Sequence, residues 1–272
     1  MTPTLPVATL FHACVEAIRE HRLIRRESRR DKEFHFQYWV GERLRETGAH
    51  YEAGGRNSYP DFRLVQSAEG YEVKGLAYPG RVADFDSNSQ MPSGSHNGRS
   101  IYYIFGRYPA EPDGETYPVL DLVICHGDFL NADHHYVHKN KSVQGFGSYG
   151  DIKIRDRKMY VVPTPFGLVE GVAHAHTLIL PAGMGVAAET LQHVGTLIRQ
   201  EAAALIVGYS FDLRTNALTE ETVPNPSAGH EHRFDAWRLP GSSHQPVAMR
   251  TPKAVLEELG NDEDGDQGVA DT

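Results

Sequence analysis

The chain has 272 residues, 40% of them hydrophobic and 23% charged, with a formal net charge of −9; this is the composition of a globular protein with enough apolar surface for one large domain or two small ones. No run approaches the roughly 18 uncharged apolar residues that cross a bilayer, and the opening MTPTLPVATLFHACVEAIRE lacks the basic start and unbroken apolar stretch of a signal peptide, so a cytoplasmic protein with no membrane partner is expected. Cys14 and Cys125 are the only cysteines, which excludes a disulfide framework and a paired Cys-x-x-Cys zinc site.

In chain order, Val7, Leu10, Phe11, Val15, Ile18 and Leu23 predict an amphipathic helix within 6–30, and FHFQYWVGERLRE predicts a second over 34–46, stopped by Gly48. After a turn around Gly54 and Gly55, DFRLV (61–65) and YEVKGLA (71–77) read as strands joined by a tight turn, a hairpin. Residues 78–100, rich in Gly, Ser, Asn and Asp with Pro79 and Pro92, read as a long functional loop. IYYIFG (101–106), VLDLVIC (119–125), the pair IKI and MYVVP within 152–163, HTLILP (176–181) and ALIVGYSFDL (204–213) are strand candidates. AAETLQHVGTLIRQEAAA (187–204) has the spacing of an amphipathic helix, and the proline-punctuated stretch 222–252 is expected to be irregular. The pattern predicts an α/β (α+β) domain.

Charge is distributed unevenly. Glu257, Glu258, Asp262, Glu263, Asp264, Asp266 and Asp271 carry seven negatives with no cation among them, leaving −2 for residues 1–256 and marking 257–272 as an acidic disordered tail. Arg19, Arg22, Arg25, Arg26, Arg29, Arg30 and Lys32 form one basic window; Lys139, Lys141, Lys153, Arg155, Arg157 and Lys158 form another. Such patches can meet phosphates whatever the total charge.

The hairpin carries charges a sheet does not need. Side chains alternate along a strand, so Glu72 and Lys74 point one way and Tyr71 and Val73 the other. Antiparallel pairing brings Asp61 toward Glu72. Two clustered carboxylates repel unless a cation lies between them, and hard oxygen ligands suit Mg²⁺, with the Val73 carbonyl as a further donor. Lys74 beside such an ion would orient or deprotonate a water.

Pro60–Asp61 followed by Glu72-Val73-Lys74 resembles the signature of the PD-(D/E)XK nuclease superfamily, and the chain as a whole most resembles a type II restriction endonuclease. The resemblance implies a restriction-endonuclease-like core over about 34–126, a central mixed sheet flanked by helices. That core would lie in a single nuclease domain (1–256) with an N-terminal helical part (1–48) and C-terminal decorations. It further implies Mg²⁺, with Mn²⁺ as a substitute, held by Asp61, Glu72 and Val73; catalysis by Asp61, Glu72 and Lys74; and a fourth catalytic carboxylate on the preceding helix, Glu42, with Glu46 as the alternative. The partners would be double-stranded DNA and a second copy of the chain in a homodimer. A DNA repair or nonspecific nuclease of the superfamily, or a non-cleaving DNA-binding protein, are the alternatives. One departure stands out: the core usually has a helix after the Lys strand, where this chain has its Gly-, Pro- and Ser-rich stretch 78–100.

For base reading, Asn88, Ser89, Gln90, Ser93, His96, Asn97 and Arg99 follow the hairpin directly, and Lys139, Asn140, Lys141 and Gln144 form a second DNA-contacting candidate. Asn and Gln suit adenine and Arg suits guanine, while cations position the phosphates. Other signals are weaker. GFGSYG (145–150) satisfies G-x-G-x-x-G but precedes strand-like sequence, so no nucleotide cofactor is expected. CHGDFLNADHHYVHKN groups His126, His134, His135 and His138 with Asp128 and Asp133 without the strand–helix layout of a His-Asn-His nuclease. HAH (174–176) and HEH (230–232) each place two imidazoles on one strand face but lack an identifiable acidic third ligand. No G-x-S-x-G elbow is present.

Overall fold

The computed structural model describes residues 5–26, 32–54, 58–88, 91–111, 114–132, 149, 153–156, 159–186, 190–212, 214–215 and 217–251. The chain starts with α1 (Pro6–Arg19), β1 (Ile24–Arg25) and α2 (Lys32–Glu46), then β2 (Tyr51–Ala53), β3 (Phe62–Leu64) and β4 (Glu69–Tyr78). Next come β5 (Asp84–Asn88), β6 (Ser95–His96), β7 (Arg99–Pro109), β8 (Thr116–Tyr117), β9 (Asp121–His126) and a 3₁₀ turn at Gly127–Phe129. Then follow β10 (Lys153–Asp156), β11 (Met159–Pro163), α3 (Pro165–Leu168), β12 (Val169–Glu170) and β13 (His176–Pro181). β14 (Gln192–Gln200), β15 (Ala204–Asp212), β16 (Ala217–Pro224), β17 (Glu231–Arg238) and β18 (Ala248–Met249) complete the order.

The result is a mixed α+β fold with few helices around a central mixed sheet. That sheet runs β14-β17-β13-β9-β7-β4-β3-β2, with β6 added to β7. β2, β3 and β4 form an antiparallel meander; β4 pairs parallel with β7, β7 antiparallel with β9, and β9 parallel with β13. Two apolar layers sandwich it. On one face Val7, Leu10, Phe11, Cys14 and Val15 of α1 and Phe36, Trp39, Val40 and Leu44 of α2 pack on Phe62, Tyr71, Val73, Tyr102 and Ile104. On the other, Phe85 of β5, Tyr160 and Val162 of β11 and Phe166 and Leu168 of α3 pack on Leu76, Ile101, Tyr103, Phe105 and Val123.

Helices α1 and α2 therefore flank one face, while the small sheet β10-β11-β5, with α3, covers much of the other. Gly106 lets α2 sit this close: a Cβ there would lie 2.1 Å from the Phe36 ring. Gly70 does the same at the hairpin, where a Cβ would lie 2.6 Å from Pro60 Cγ.

Several expectations change. The first helix ends at Arg19, and Ile24–Arg25 pairs with Thr116–Tyr117 instead. Within 78–100, β5 joins β11 and β6 joins β7, so the stretch is structured, without the helix of the resembled core among its described residues. Within 187–204, Gln192–Gln200 is a strand. Leu191, Val194, Leu197 and Ile198 fit a helical spacing, but Leu197 and Arg199 are buried while Ile198 is exposed, the alternation of a sheet edge paired with β17. The stretch 222–252, expected to be irregular, supplies that partner, β17, which sits between β14 and β13. The acidic tail lies outside the described residues. Among the described residues no helix is long and apolar enough to cross a membrane.

Candidate active site

The hairpin register is Phe62↔Tyr71 and Arg63↔Gly70. Continued by one residue, it sets Asp61 across from Glu72, on the same face of the sheet. Lys74, two residues on, shares that face, and its ammonium donates to Glu72 Oε1 at 2.6 Å. Asp61 Oδ2 accepts the Val73 backbone N–H at 2.7 Å, occupying the place a strand neighbour would take. The Asp61 carbonyl in turn accepts from Gly54 N at 2.7 Å, which fixes its backbone against the end of β2. The three side chains that the sequence analysis grouped are brought together.

The site is half-buried, with Lys74 26% and Glu72 13% exposed. β5 closes it from above: the Lys74 ammonium lies 5.6 Å from the Phe85 ring centroid, and Phe85 packs on Tyr103 and Phe105. Tyr103 neighbours Glu72 in the parallel β4–β7 pairing and shares a hydrogen bond of 2.9 Å with the Tyr59 hydroxyl. Burial, the Tyr59 hydroxyl and the Glu72 charge hold the Tyr103 phenol well above its ordinary range, so it stays neutral. Asp61 is the perturbed acid. Burial first, then the Glu72 charge, push its carboxyl up to about 7, against the opposing pull of the Val73 N–H and Lys74.

The donors suit a hard divalent cation. Glu72 Oε2 is buried without a hydrogen-bond partner. A buried carboxylate oxygen left unpaired costs free energy, and a cation between Asp61 and Glu72 removes both that cost and the carboxylate repulsion. Asp61, Glu72 and the Val73 carbonyl are the residues that would hold it.

Glu42 is not part of this cluster. Helix α2 packs on the Tyr71/Val73 face, opposite Glu72 and Lys74. The Glu42 side chain is 56% exposed and accepts from Arg43 at 3.1 Å. Its alternative, Glu46, is held by Arg22 and Arg43. The first basic window is also spent internally in part: Arg19 pairs with Glu16 and reaches Ser242, and Arg22 pairs with Glu20 and Glu46.

The base-reading candidates separate. Arg99 Nη1 donates to the carbonyls of Leu64 and Ser67 at 2.7 and 3.0 Å, so the guanidinium fastens the β3–β4 turn. Asn97 and Gly98 both have positive φ and form the two-residue turn between β6 and β7. Ser93 Oγ bonds the backbone of Ser95. Asn88 ends β5 opposite Met159. His96 packs edge-on against Tyr59 at 4.9 Å, which ties it to the carboxylate pocket through Tyr103. Ser89, Gln90, Lys139, Asn140, Lys141 and Gln144 lie outside the described residues, as do His134, His135, His138 and Asp133. His126 accepts the Asp128 N–H at 3.3 Å and so caps the 3₁₀ turn.

Tyr59, Phe85 and Tyr103 were not singled out from the sequence. The one available signal was an aromatic directly before Pro60–Asp61. No family model matches the chain, and neither a curated protein nor a solved structure matches it.

Proposed function

We propose that the protein is a divalent-cation-dependent endodeoxyribonuclease of the PD-(D/E)XK type, acting on double-stranded DNA as a sequence-specific restriction enzyme. The observation that carries this reading is the one-face convergence of Asp61, Glu72 and Lys74, with the buried Glu72 Oε2 left without a partner. The order α2, antiparallel meander β2-β3-β4, then a parallel pairing of β4 with β7 is compatible with it, because the resemblance implies a central mixed sheet flanked by helices. The covered face departs from that core, with β5 in place of a helix.

Bound by Asp61, Glu72 and the Val73 carbonyl, Mg²⁺ would polarise the scissile phosphoryl group and stabilise the leaving alkoxide. The chain's own residues do the rest. Lys74, held at 2.6 Å from Glu72, aims an ammonium at the space above the carboxylates, where it orients a water and balances charge on the phosphate. The Val73 N–H fixes the Asp61 rotamer, so the ligand geometry exists before DNA arrives. Phe85 covers the Lys74 side of the pocket and Tyr103, hydrogen-bonded to Tyr59, flanks Glu72. Each copy in a homodimer would cut one strand.

The test is incubation of the protein with plasmid and phage DNA in Mg²⁺ and in EDTA. Discrete Mg²⁺-dependent fragments are expected. A Mg²⁺-dependent smear would replace restriction by repair or nonspecific cleavage, and retarded but uncut DNA would leave a binding protein.

A further inference from the structure

A second constellation lies at the other side of the sheet, where the pairing Gln200↔Glu231 ends. Glu201 follows β14 directly, and His230 stands opposite it, with Glu201 N donating to the His230 carbonyl at 2.9 Å. His232, two residues on, points to the same face as His230. His232 Nε2 lies 2.8 Å from Glu201 Oε1 and 3.1 Å from His230 Nδ1, and His230 Nδ1 lies 3.9 Å from the same carboxylate oxygen. The Glu201 side chain is fully buried. Its other oxygen accepts from Asn225 Nδ2 at 3.1 Å, and Asn225 is itself pinned by the Ala202 carbonyl and the Ser227 N–H.

The three candidate ligand atoms all lie within 4.8 Å of one another. The separations fit a bound ion. A tetrahedral centre with bonds near 2.1 Å spaces its ligands about 3.4 Å apart, within the 2.8–3.9 Å range found here. Two imidazoles and a carboxylate select a borderline transition-metal ion over Mg²⁺. We infer that Glu201, His230 and His232 form a zinc-type metal site, with Asn225 as the positioning residue that orients the carboxylate.

The His230 ring is 65% exposed, so the remaining coordination position faces solvent and takes a water or an external ligand. The hairpin β15–β16 leaves the chain between these ligands, with Glu201 before it and Asn225, His230 and His232 after it. The metal therefore clamps the base of that arm. This inference is independent of the nuclease reading, since it shares no residue with Asp61, Glu72 or Lys74.

The test uses the full chain, stripped by a chelator and titrated with ZnCl₂ against a chromophoric competitor, with Co²⁺ absorption as a second readout. One Zn²⁺ per chain is expected, with visible bands of tetrahedral intensity on Co²⁺ loading and a raised melting temperature. His232→Ala and the exposed-site variant His230→Ala should each weaken Zn²⁺ at least about 100-fold, and Asn225→Ala roughly tenfold. Glu42→Ala, on the exposed face of α2 and outside both clusters, should bind Zn²⁺ as wild type does. Absence of stoichiometric Zn²⁺, or affinity unchanged in folded His230→Ala, overturns the site. Glu201→Gln is the less informative variant, because a buried amide there can unfold the edge; His230→Ala keeps the test decisive.

Discussion

Replacing Asp61 by Asn should stabilise the metal-free protein at neutral and alkaline pH while destroying its proposed activity. Asn keeps an oxygen for the Val73 N–H and removes the charge that burial and Glu72 oppose. The carboxyl is raised from 3.8 to about 7, so the native state holds a proton that the unfolded state has lost. Below about pH 4 both states are protonated and the group is neutral toward folding. Between about pH 4 and 7 only the unfolded state ionises, so stability falls as pH rises, and above about 7 the full penalty applies. Three pKa units correspond to about 4 kcal/mol, an upper figure because the denatured state and local relaxation absorb part of it.

Urea denaturation in EDTA at pH 4.5 and pH 8 measures this difference. Wild type should lose stability across that interval, and Asp61→Asn should lose much less. Mg²⁺ at 100 times its dissociation constant should return about 2.7 kcal/mol to wild type at pH 8 and leave the variant unmoved. Equal pH slopes for the two proteins, or equal responses to Mg²⁺, would refute the carboxylate-pair reasoning.

Lys74→Ala should fold and retain DNA while cutting at least about 100-fold more slowly, measured by single-turnover cleavage; a normal rate would remove Lys74 from the chemistry. Arg99→Ala should cost about 1–3 kcal/mol of unfolding free energy in urea denaturation, because it abandons the Leu64 and Ser67 carbonyls, with cognate DNA affinity of the folded protein unchanged. Glu42→Ala should leave both stability and cleavage at wild-type levels, since its exposed pair with Arg43 contributes little; a cleavage-dead variant would return α2 to the site.

The hairpin was legible because everything that defines it is local. A short turn fixes the register, strand alternation puts Glu72 and Lys74 on one face, and ten residues between Asp61 and Glu72 close the loop. Partners chosen from afar were not legible. Leu191, Val194, Leu197 and Ile198 satisfy helical spacing on their own, and only pairing with β17 turns them into a strand. Arg99 reads as a guanine contact in isolation, yet the carbonyls that consume it belong to a turn some thirty residues earlier. Glu201 carries no signal as a metal ligand until the sheet lays it beside His230 and His232. Glu42 was assigned through the resemblance, and the layer order places its helix on the opposite face from Glu72.

The most direct measurement compares folded wild type with Glu72→Gln on one DNA substrate in Mg²⁺ and in EDTA. Glu72→Gln keeps the side-chain volume but removes the carboxylate that Lys74 grips and whose second oxygen has no partner. The account predicts fragments only from wild type and only in Mg²⁺, with DNA retention equal in the two proteins. Cleavage by Glu72→Gln at the wild-type rate, or cleavage undiminished in EDTA, would contradict it.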